Sequence, residues 1–419
     1  MPVTLPYGIT LTAEAALSAS TGSYGAWDAG LWNTATWGPD ELWTDISRYV
    51  ESLSTSRRFG REVTTWESGT ATLNLRNEDG RFSPDNLSGP YVTAGVTGIR
   101  PLRPARVAAT YGGVTYPVYR GYTTAWEETW IEPSPGAGGA LVTVPCIDEM
   151  GRLAGYDGFE QPPIGAGEST GQRINRILNN AGHTGARSVD LGRMTVQATT
   201  LAQNAVSDLK LTADSEGGAV WVDADGTLIF DDYPSAVEGR SATVQATWGD
   251  TAGDLPYSAI KTEYNGDLTQ NLAAFARDGG TQQLVGDSTS RALYGDRQYR
   301  RNDLICETDS QVQTLAALQV AVRGNPERRV TQIEVRPLGN PARLWPVVLG
   351  TRVRDLWRVK RTPPGGYSIS QLVFVAGISH VVTADNWVTT FDLNSATPFA
   401  AFASSRFDVG KWDSVVWYF

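Results

Sequence analysis

Apolar and polar side chains alternate without a break through Ala71-Thr72-Leu73-Asn74-Leu75. A period of two places successive side chains on opposite faces of a strand, so that one face is buried and the other meets water. Upstream, Asp45–Val50 shows a similar alternation, and downstream Asn77-Glu78-Asp79-Gly80 is a turn signal. The stretch therefore predicts antiparallel β-structure.

Further strands are predicted on the C-terminal side of this stretch. Arg106–Ala109 and Val114–Tyr116 flank Gly112-Gly113, a pair of residues typical of a tight hairpin. Ala140–Val144 is the last strand of the group. We therefore expect residues 44–150 to form a first antiparallel β domain.

The pattern changes to helices after residue 150. Ser169-Thr170 precede apolar residues at helical spacing from Ile174 to Ala181, and Gly182 follows as a stop signal. A second helix is predicted over Ala205–Ala213, followed by a hairpin with its turn at Asp223-Ala224-Asp225-Gly226. Residues 151–235 are predicted to form a small α/β insert.

Strand patterns return in residues 236–395, which we predict to be a second β domain. Ser258–Tyr264 is its first strand, and a helix near residues 312–322 stops at Gly324. Four further strands are expected, at Arg329–Val335, Leu349–Val359, Ser368–Val382 and Trp387–Leu393.

Both ends of the chain are rich in aromatic residues. Residues 1–43 and 396–419 are predicted to be extended arms, because neither shows a clear helical or strand period. Trp27-Asp28 with Trp32, and Trp412-Asp413 with Trp417, share one spacing, which indicates a common docking mode or chance in a chain with 14 Trp. The candidate partner-docking residues are Trp27, Trp32, Trp37, Trp43, Trp412 and Trp417.

Composition narrows the class of protein. The net charge is −10, and 31 Arg stand against 4 Lys, which argues against a free-standing nucleic-acid binder. No run approaches the roughly 18 apolar residues of a membrane span, and no basic segment precedes an apolar one at the N-terminus, so neither a membrane anchor nor a secretory signal is expected. Cys146 and Cys306 are expected to be buried thiols, with a single bridge as the alternative.

Motifs that resemble chemical sites have simpler interpretations. Gly165–Gly171 lacks the Lys of a phosphate-binding loop, so we interpret it as a linker that ends in a helix cap. Asp223–Gly226 has its Gly too early for a calcium loop and is predicted to be a hairpin turn. The acidic pairs Glu127-Glu128 and Asp231-Asp232 are interpreted as solvated strand ends rather than glycosidase acids.

The two histidines, His183 and His380, are predicted to be structural, and no Gly-x-Ser-x-Gly motif surrounds a serine. We therefore expect no catalytic residue, no cofactor and no metal. The clustered arginines are interpreted as intersubunit salt bridges or solvated faces rather than a nucleic-acid surface. These clusters are Arg57, Arg58 and Arg61; Arg297, Arg300 and Arg301; and Arg352, Arg354 and Arg358.

A series of segments that together span about residues 44 to 394 resembles, in its order, the minor tail proteins of long-tailed phages that infect high-GC bacteria. The segments are Leu42–Val50, Arg57–Glu62, Gly69–Asn77, Asp79–Pro84, Arg100–Val107, Tyr119–Tyr122, Ser215–Gly226, Gly377–His380 and Trp387–Phe391.

The resemblance implies a baseplate-hub or tail-tip protein. Such a chain is mainly β, with two tail-tube-like β domains separated by a small α/β domain, so that a trimer imitates a sixfold ring. The implied partners are a second and third copy, the distal tail ring, the tail tube, the tape measure and receptor-binding proteins, with phage DNA only in transit. The implied location is the distal end of the virion tail, after synthesis in the host cytoplasm.

The chain departs from the larger hub proteins in showing no long C-terminal fibre or peptidase-like extension, which puts direct receptor binding or wall cleavage in doubt. Two alternatives remain open. One is a hexameric distal-tail ring. The other is a carbohydrate-binding or glycan-cleaving tail module, which the 14 Trp and the many carboxylates motivate.

Overall fold

The computed structural model of the 419-residue chain describes residues 3–5, 8–17, 43–59, 66–93, 95–130, 140–156, 165–201, 204–232 and 239–396. Only the backbone is described at residues 3–5, 239 and 240. Among these residues, fifteen strands join into one main sheet, and four smaller sheets lie beside it.

The described residues of the first β region form mainly strands, with a short 3-10 turn at Ser47–Tyr49. Its strands are β1 (Val3–Leu5), β2 (Ile9–Ala15), β3 (Thr44–Asp45), β4 (Val50–Phe59), β5 (Trp66–Arg76), β6 (Val92–Thr93), β7 (Val96–Thr97), β8 (Pro104–Tyr111), β9 (Val114–Thr123), β10 (Glu127–Trp130) and β11 (Ala140–Ile147).

The insert follows, and its described residues form three helices and five short strands. Its elements are α1 (Glu149–Leu153), β12 (Glu168–Ser169), α2 (Thr170–Asn180), β13 (Arg187–Val189), β14 (Thr195–Val196), α3 (Ala205–Asp214), β15 (Ala219–Val222) and β16 (Leu228–Asp231). Strands β13, β16 and β15 form one sheet of this insert, against which the buried faces of α2 and α3 pack.

In the second β region, where residues 239–396 are described, strands alternate with three α-helices. Its elements are β17 (Val244–Trp248), β18 (Ala259–Tyr264), β19 (Leu272–Arg277), β20 (Gln283–Gly286), α4 (Ser288–Tyr294), β21 (Gln298–Leu304), α5 (Asp309–Arg323), β22 (Arg328–Val335), α6 (Pro341–Gly350), β23 (Leu356–Arg361), β24 (Ile369–Thr383) and β25 (Trp387–Ser395). Strands β20, β19 and β21 form a separate small sheet, covered by α5.

The two β regions are joined edge to edge. The main strand path runs β1-β2-β8-β9-β11-β5-β4-β24-β25-β22-β18. At the joint, β4 pairs antiparallel with the last part of β24, from Ser52 opposite Thr383 to Arg58 opposite Gly377. The first part of β24 pairs with β23 instead, and the register shifts between Val375 and Gly377 where β24 also pairs with β25. The chain is therefore mainly β, with one sheet running through both regions.

In the first region the sheet folds over on itself. Strands β2, β8 and β9 form an outer layer, and β11, β5 and β4 form an inner layer, with Leu11 and Val107 buried across the core from Leu53 and Leu73. Strands β9 and β11 share only two register pairs, which places the fold-over between them. Helix α6 closes this core from the second region, because Trp345 packs edge-on against Trp387 at 5.0 Å.

Most of the expected elements are present. The hairpin at Gly112-Gly113 forms with both residues at positive φ, and α2, α3 and α5 include the three predicted helices. The proposed boundaries at residues 44–150, 151–235 and 236–395 remain predictions. The main sheet crosses from the first to the second β region, since β4 and β24 pair with one another.

Three expectations are wrong. Ile9–Ala15 lies inside the predicted arm of residues 1–43, yet it is a strand paired with β8. Asp45–Val50 is interrupted by the 3-10 turn, where the Ser47 hydroxyl donates to Asp45 and the Ala13 amide donates to Ser47. Residues 349–350 end helix α6, and the strand expected over 349–359 begins only at Leu356.

Candidate assembly surface

The main sheet ends in an edge strand at β18. Among the described strands, β18 pairs only with β22, so its second edge presents unpaired backbone groups. Ala259, Lys261, Thr262 and Tyr264 of this strand are exposed. An open edge of this kind is a template for pairing with another chain unless it is protected.

An exposed apolar patch adjoins the end of β18. Tyr264 is 67% exposed, and Leu293 of α4 is 69% exposed. Tyr264 and Tyr294 share a side-chain hydrogen bond, which raises the pKa of Tyr294. Aromatic side chains with a polar tip are enriched at protein interfaces. The open edge and the patch together have the character of an assembly surface.

Trp43 is the one predicted docking residue within the described part of the chain. Its ring lies 4.2 Å from the Arg106 guanidinium and 5.6 Å from that of Arg120, and Arg106 donates to Glu14 at 2.7 Å. Trp43 thus has a half-buried place on its own chain, and its docking role stays a prediction. Trp27, Trp32, Trp37, Trp412 and Trp417 lie outside the described residues.

The insert is fastened to the joint by a buried ion pair. Arg57 of β4 has a side chain only 4% exposed, and its guanidinium lies 3.2 Å from the carboxylate of Asp223 in the insert hairpin. Burial lowers the pKa of Arg57, and the charges of Asp223 and Asp148 oppose this shift. Asp223 also begins the predicted hairpin turn, where Gly226 has φ of +89°. The same residue therefore forms the turn and holds the insert to β4.

Asp148 holds the start of α1 against β5. One carboxylate oxygen accepts from the Gly151 amide at 3.0 Å, and the other accepts from the Gly69 amide at 2.6 Å. Burial raises the pKa of Asp148 to about 6, against these hydrogen bonds. Gly69 is required here, because a Cβ would lie 2.8 Å from the Asp148 oxygen.

Both histidines have structural partners, as expected. The His183 ring nitrogen Nδ1 lies 2.6 Å from Glu149, which also accepts from Arg152 at 2.8 Å. Burial alone would raise the pKa of Glu149, but the bonds from Arg152 and His183 lower it to about 2. Burial, followed by the charge of Arg57, lowers the pKa of His380 to about 3, so this ring is neutral beside Thr389.

Several clustered arginines pair within the chain. Arg301 lies 2.9 Å from Asp214, and Arg354 lies 3.3 Å from Asp231. With the Arg57 pair, these contacts show that the prediction of intersubunit or solvated positions is wrong for three members of the clusters, because each guanidinium already neutralises a carboxylate of its own chain. Arg58 instead forms a half-exposed pair with Glu67 at 2.6 Å.

The loop before α2 is a helix cap, as predicted. Ser169 accepts from the Gln172 amide, and the Gln172 side chain accepts from the Ser169 amide, which completes a capping box. Glu168 pairs with Arg173 at 2.6 Å and with Arg176 at 2.9 Å. This acidic residue therefore stabilises the loop and disfavours a phosphate there.

No group of three or more metal-ligating side chains is found among the residues that the structure describes. Cys146 and Cys306 are buried free thiols in separate cores, so the alternative of a bridge is wrong. Burial raises the pKa of each thiol to about 12. No described helix is long and apolar enough to cross a bilayer.

A polar cleft of about 770 Å³ lies between α3 and β21. Asp208 lines it and is 7% exposed. Burial raises the pKa of Asp208 to about 6, against the charges of Arg173 and Arg176.

Two solved structures share the fold over nearly their full lengths. A tail protein from Neisseria meningitidis MC58 superposes with a TM-score of 0.58 at 13% identity, covering 93% of this chain and 97% of that one. The 43 kDa tail protein of prophage MuSo2 from Shewanella oneidensis gives 0.56 at 13% identity, with the same coverage. No protein family and no curated protein matches the sequence. The chain therefore has the fold of phage tail proteins.

Proposed function

We propose that this protein is a non-catalytic structural subunit of a phage tail. In this proposal it forms a trimeric baseplate-hub ring at the tail tip, joins the tail tube to distal tail proteins and leaves an axial passage for DNA. The observation that carries the proposal is the single sheet through both β regions. Two sheet segments from each chain allow three chains to provide six segments around an axis.

Three features support assembly through sheet edges. The open edge of β18 offers backbone groups for pairing, and the Tyr264 patch adjoins it. The fold is shared with two tail proteins along almost the whole chain. Proposed partners are further copies of the chain, the distal tail ring, the tail tube, the tape measure and receptor-binding proteins.

The tryptophans in the described part of the chain do not favour the glycan-binding alternative. Trp66, Trp248, Trp345, Trp357 and Trp387 are each less than 2% exposed and belong to the hydrophobic cores. Among the tryptophans that the structure describes, Trp130 on β10 is 68% exposed, and one exposed ring is ordinary on a protein surface.

The test is electron-microscopic class averaging of the purified protein at high concentration. We expect a threefold ring with an axial hole. A sixfold ring would favour the distal-tail alternative, and isolated particles at every concentration would contradict self-assembly. In that last case, titration of Trp fluorescence with cell-wall glycans distinguishes the glycan-binding module, which predicts saturable quenching.

A further inference from the structure

The solvent face of the sheet is chemically uniform at the joint between the β regions. Register places alternate residues of β5, β4 and β24 side by side on this face. Seven of these nine residues carry a hydroxyl, and none is charged. We call this set the hydroxyl lane: Thr70, Thr72 and Asn74; Ser52, Ser54 and Ser56; and Ser379, Val381 and Thr383.

Hydrogen bonds run between strands across the lane. The Asn74 amide donates to Ser52 at 2.8 Å, and Thr143 of β11 donates to Asn74 at 2.9 Å. Across the joint itself, Ser379 donates to Ser56 at 3.1 Å. Several hydroxyl and amide groups of the lane are therefore hydrogen-bonded within the protein, and the surface they form carries no charge.

The lane is open to solvent on one side only. All nine residues are exposed or half-buried, whereas the alternate residues Leu53, Leu73 and Val382 are buried in the core behind them. The outer layer of β2, β8 and β9 covers the far side of that core. In a ring built from this sheet, the lane is therefore the uncovered face available to line a passage.

Strand stability does not account for the serines. Exposed strand positions are stabilised best by β-branched and aromatic residues, and serine competes for backbone hydrogen bonds. Ser52, Ser54 and Ser56 nevertheless occupy three successive outward positions of β4, a strand in the middle of the sheet. Their shared properties are small size, polarity and the absence of charge.

The arginines at the borders of the lane are paired, and the Asp385 carboxylate accepts from the Thr383 hydroxyl at 3.0 Å. At one end Arg58 lies 2.6 Å from Glu67, and at the other Arg76 lies 3.7 Å from Glu51. Proteins retain DNA mainly through cations that neutralise phosphates and release counterions. A hydroxyl surface whose bordering arginines already pair with carboxylates provides little of that attraction.

We propose that the hydroxyl lane lines the axial passage and is the surface along which double-stranded DNA slides. This inference rests on the proposed ring. The uncharged lane avoids holding the phosphates, and its small side chains avoid narrowing the passage. The net charge of the whole chain, −10, also disfavours the binding of phosphates.

The position of the lane is tested by thiol accessibility in the full chain. Ser54→Cys places a thiol in the lane, and Val114→Cys places one in the outer layer, where Val114 is 51% exposed. The native thiols are buried and give little background. A small maleimide should label both variants alike, assembled or not.

A maleimide attached to a carrier wider than the passage distinguishes the two positions. In the assembled ring it should label Ser54→Cys at least tenfold more slowly than Val114→Cys, and in separated chains equally fast. Equal labelling in the ring would overturn the lane assignment while leaving the ring intact. If the wild-type chain forms no ring, the proposed function fails, and the assignment fails with it.

The role toward DNA is tested by adding charge. Ser54→Lys/Thr70→Lys places two cations in the lane, and Val114→Lys/Thr115→Lys places two on the outer layer as the matched control. Rings of the lane variant should retain short duplex DNA at least tenfold longer than wild-type rings at low salt, and salt should abolish the difference. Equal retention by both variants, or no gain in the lane variant, would contradict the proposal.

Discussion

At the scale of single residues, the buried ion pair of Arg57 and Asp223 joins the insert to the β regions. Removing one member of a buried ion pair leaves an uncompensated charge and usually costs about 3–5 kcal/mol. Arg57 keeps a weaker attraction to Asp148, so the cost of losing Asp223 falls at the low end of that range.

Asp223→Ala is therefore expected to lower the free energy of unfolding by about 3 kcal/mol, measured by urea denaturation. Asp225→Ala is the matched control, because Asp225 lies in the same turn but is exposed, and it should cost less than about 1 kcal/mol. If Arg57→Met/Asp223→Ala is no more stable than Asp223→Ala alone, the loss does not come from the unpaired guanidinium.

Asp208 gives the stability a defined dependence on pH. Its pKa of about 6 in the folded chain lies above the value of about 3.9 in an unfolded one. The folded state thus binds this proton more tightly, and its contribution to the free energy of unfolding falls as the pH rises from about 4 to about 6.

Asp208→Asn removes this loss. We expect the variant to be about 1 kcal/mol more stable than wild type at pH 7, allowing for solvent screening in the cleft. The two curves should converge near pH 4, as followed by thermal unfolding across that range. A constant offset between the curves would show that titration of Asp208 is not responsible.

At the scale of elements, α6 makes the second β region part of the core of the first. Trp345 is fully buried there against Trp387, and Tyr111 of β8 lies 6.2 Å from it. The helix thus packs beside two strands that are far apart along the chain.

Trp345→Ala is expected to cost about 3–5 kcal/mol, because the neighbouring rings cannot fill the cavity. Trp130→Ala removes an equally large ring that is 68% exposed and should change stability by no more than about 0.5 kcal/mol. Guanidinium unfolding of both variants measures the difference. Comparable losses would mean that α6 does not support the first core.

The sequence predicted those elements that have a clear local period. The outward residues of β5 and of the last part of β24 alternate with buried ones, and α5 has both a cap and a stop, so local pattern alone predicts these elements. Ile9–Ala15 alternates equally well, but it is short and is followed by an aromatic segment with no strand period, which favours an extended arm. Leu344, Trp345, Val348 and Leu349 recur at helical spacing in α6, although Pro346 inside the helix lowers its helix propensity.

The candidate surfaces were harder to predict. The β4–β24 joint depends on pairing across about 320 residues, and the single partner of β18 lies about 70 residues further along the chain, so a single sequence contains no local signal for either. The alternation Ser52, Ser54, Ser56 was present in the sequence. The strand register, which places Ser379 beside Ser56, is needed to show that these serines belong to one continuous surface.

At the scale of the whole molecule, the aromatic C-terminal segment is predicted to dock on a neighbour. Deleting residues 407–419 should leave the described β regions folded while impairing ring formation, because docking Trp412 and Trp417 would bury roughly 150–250 Å² for each ring. Circular dichroism and sedimentation velocity measure the two effects. Unchanged assembly would refute the docking role.

The joint between β4 and β24 also has a consequence for biosynthesis. The segment that pairs with β4 leaves the ribosome about 320 residues after it. At roughly 5–20 residues per second, the edge of β4 waits some 15–60 seconds for its partner. During that interval the nascent chains on one polysome expose unpaired β4 edges to one another. Slower translation therefore lengthens the time in which two chains can pair wrongly before each completes its own sheet.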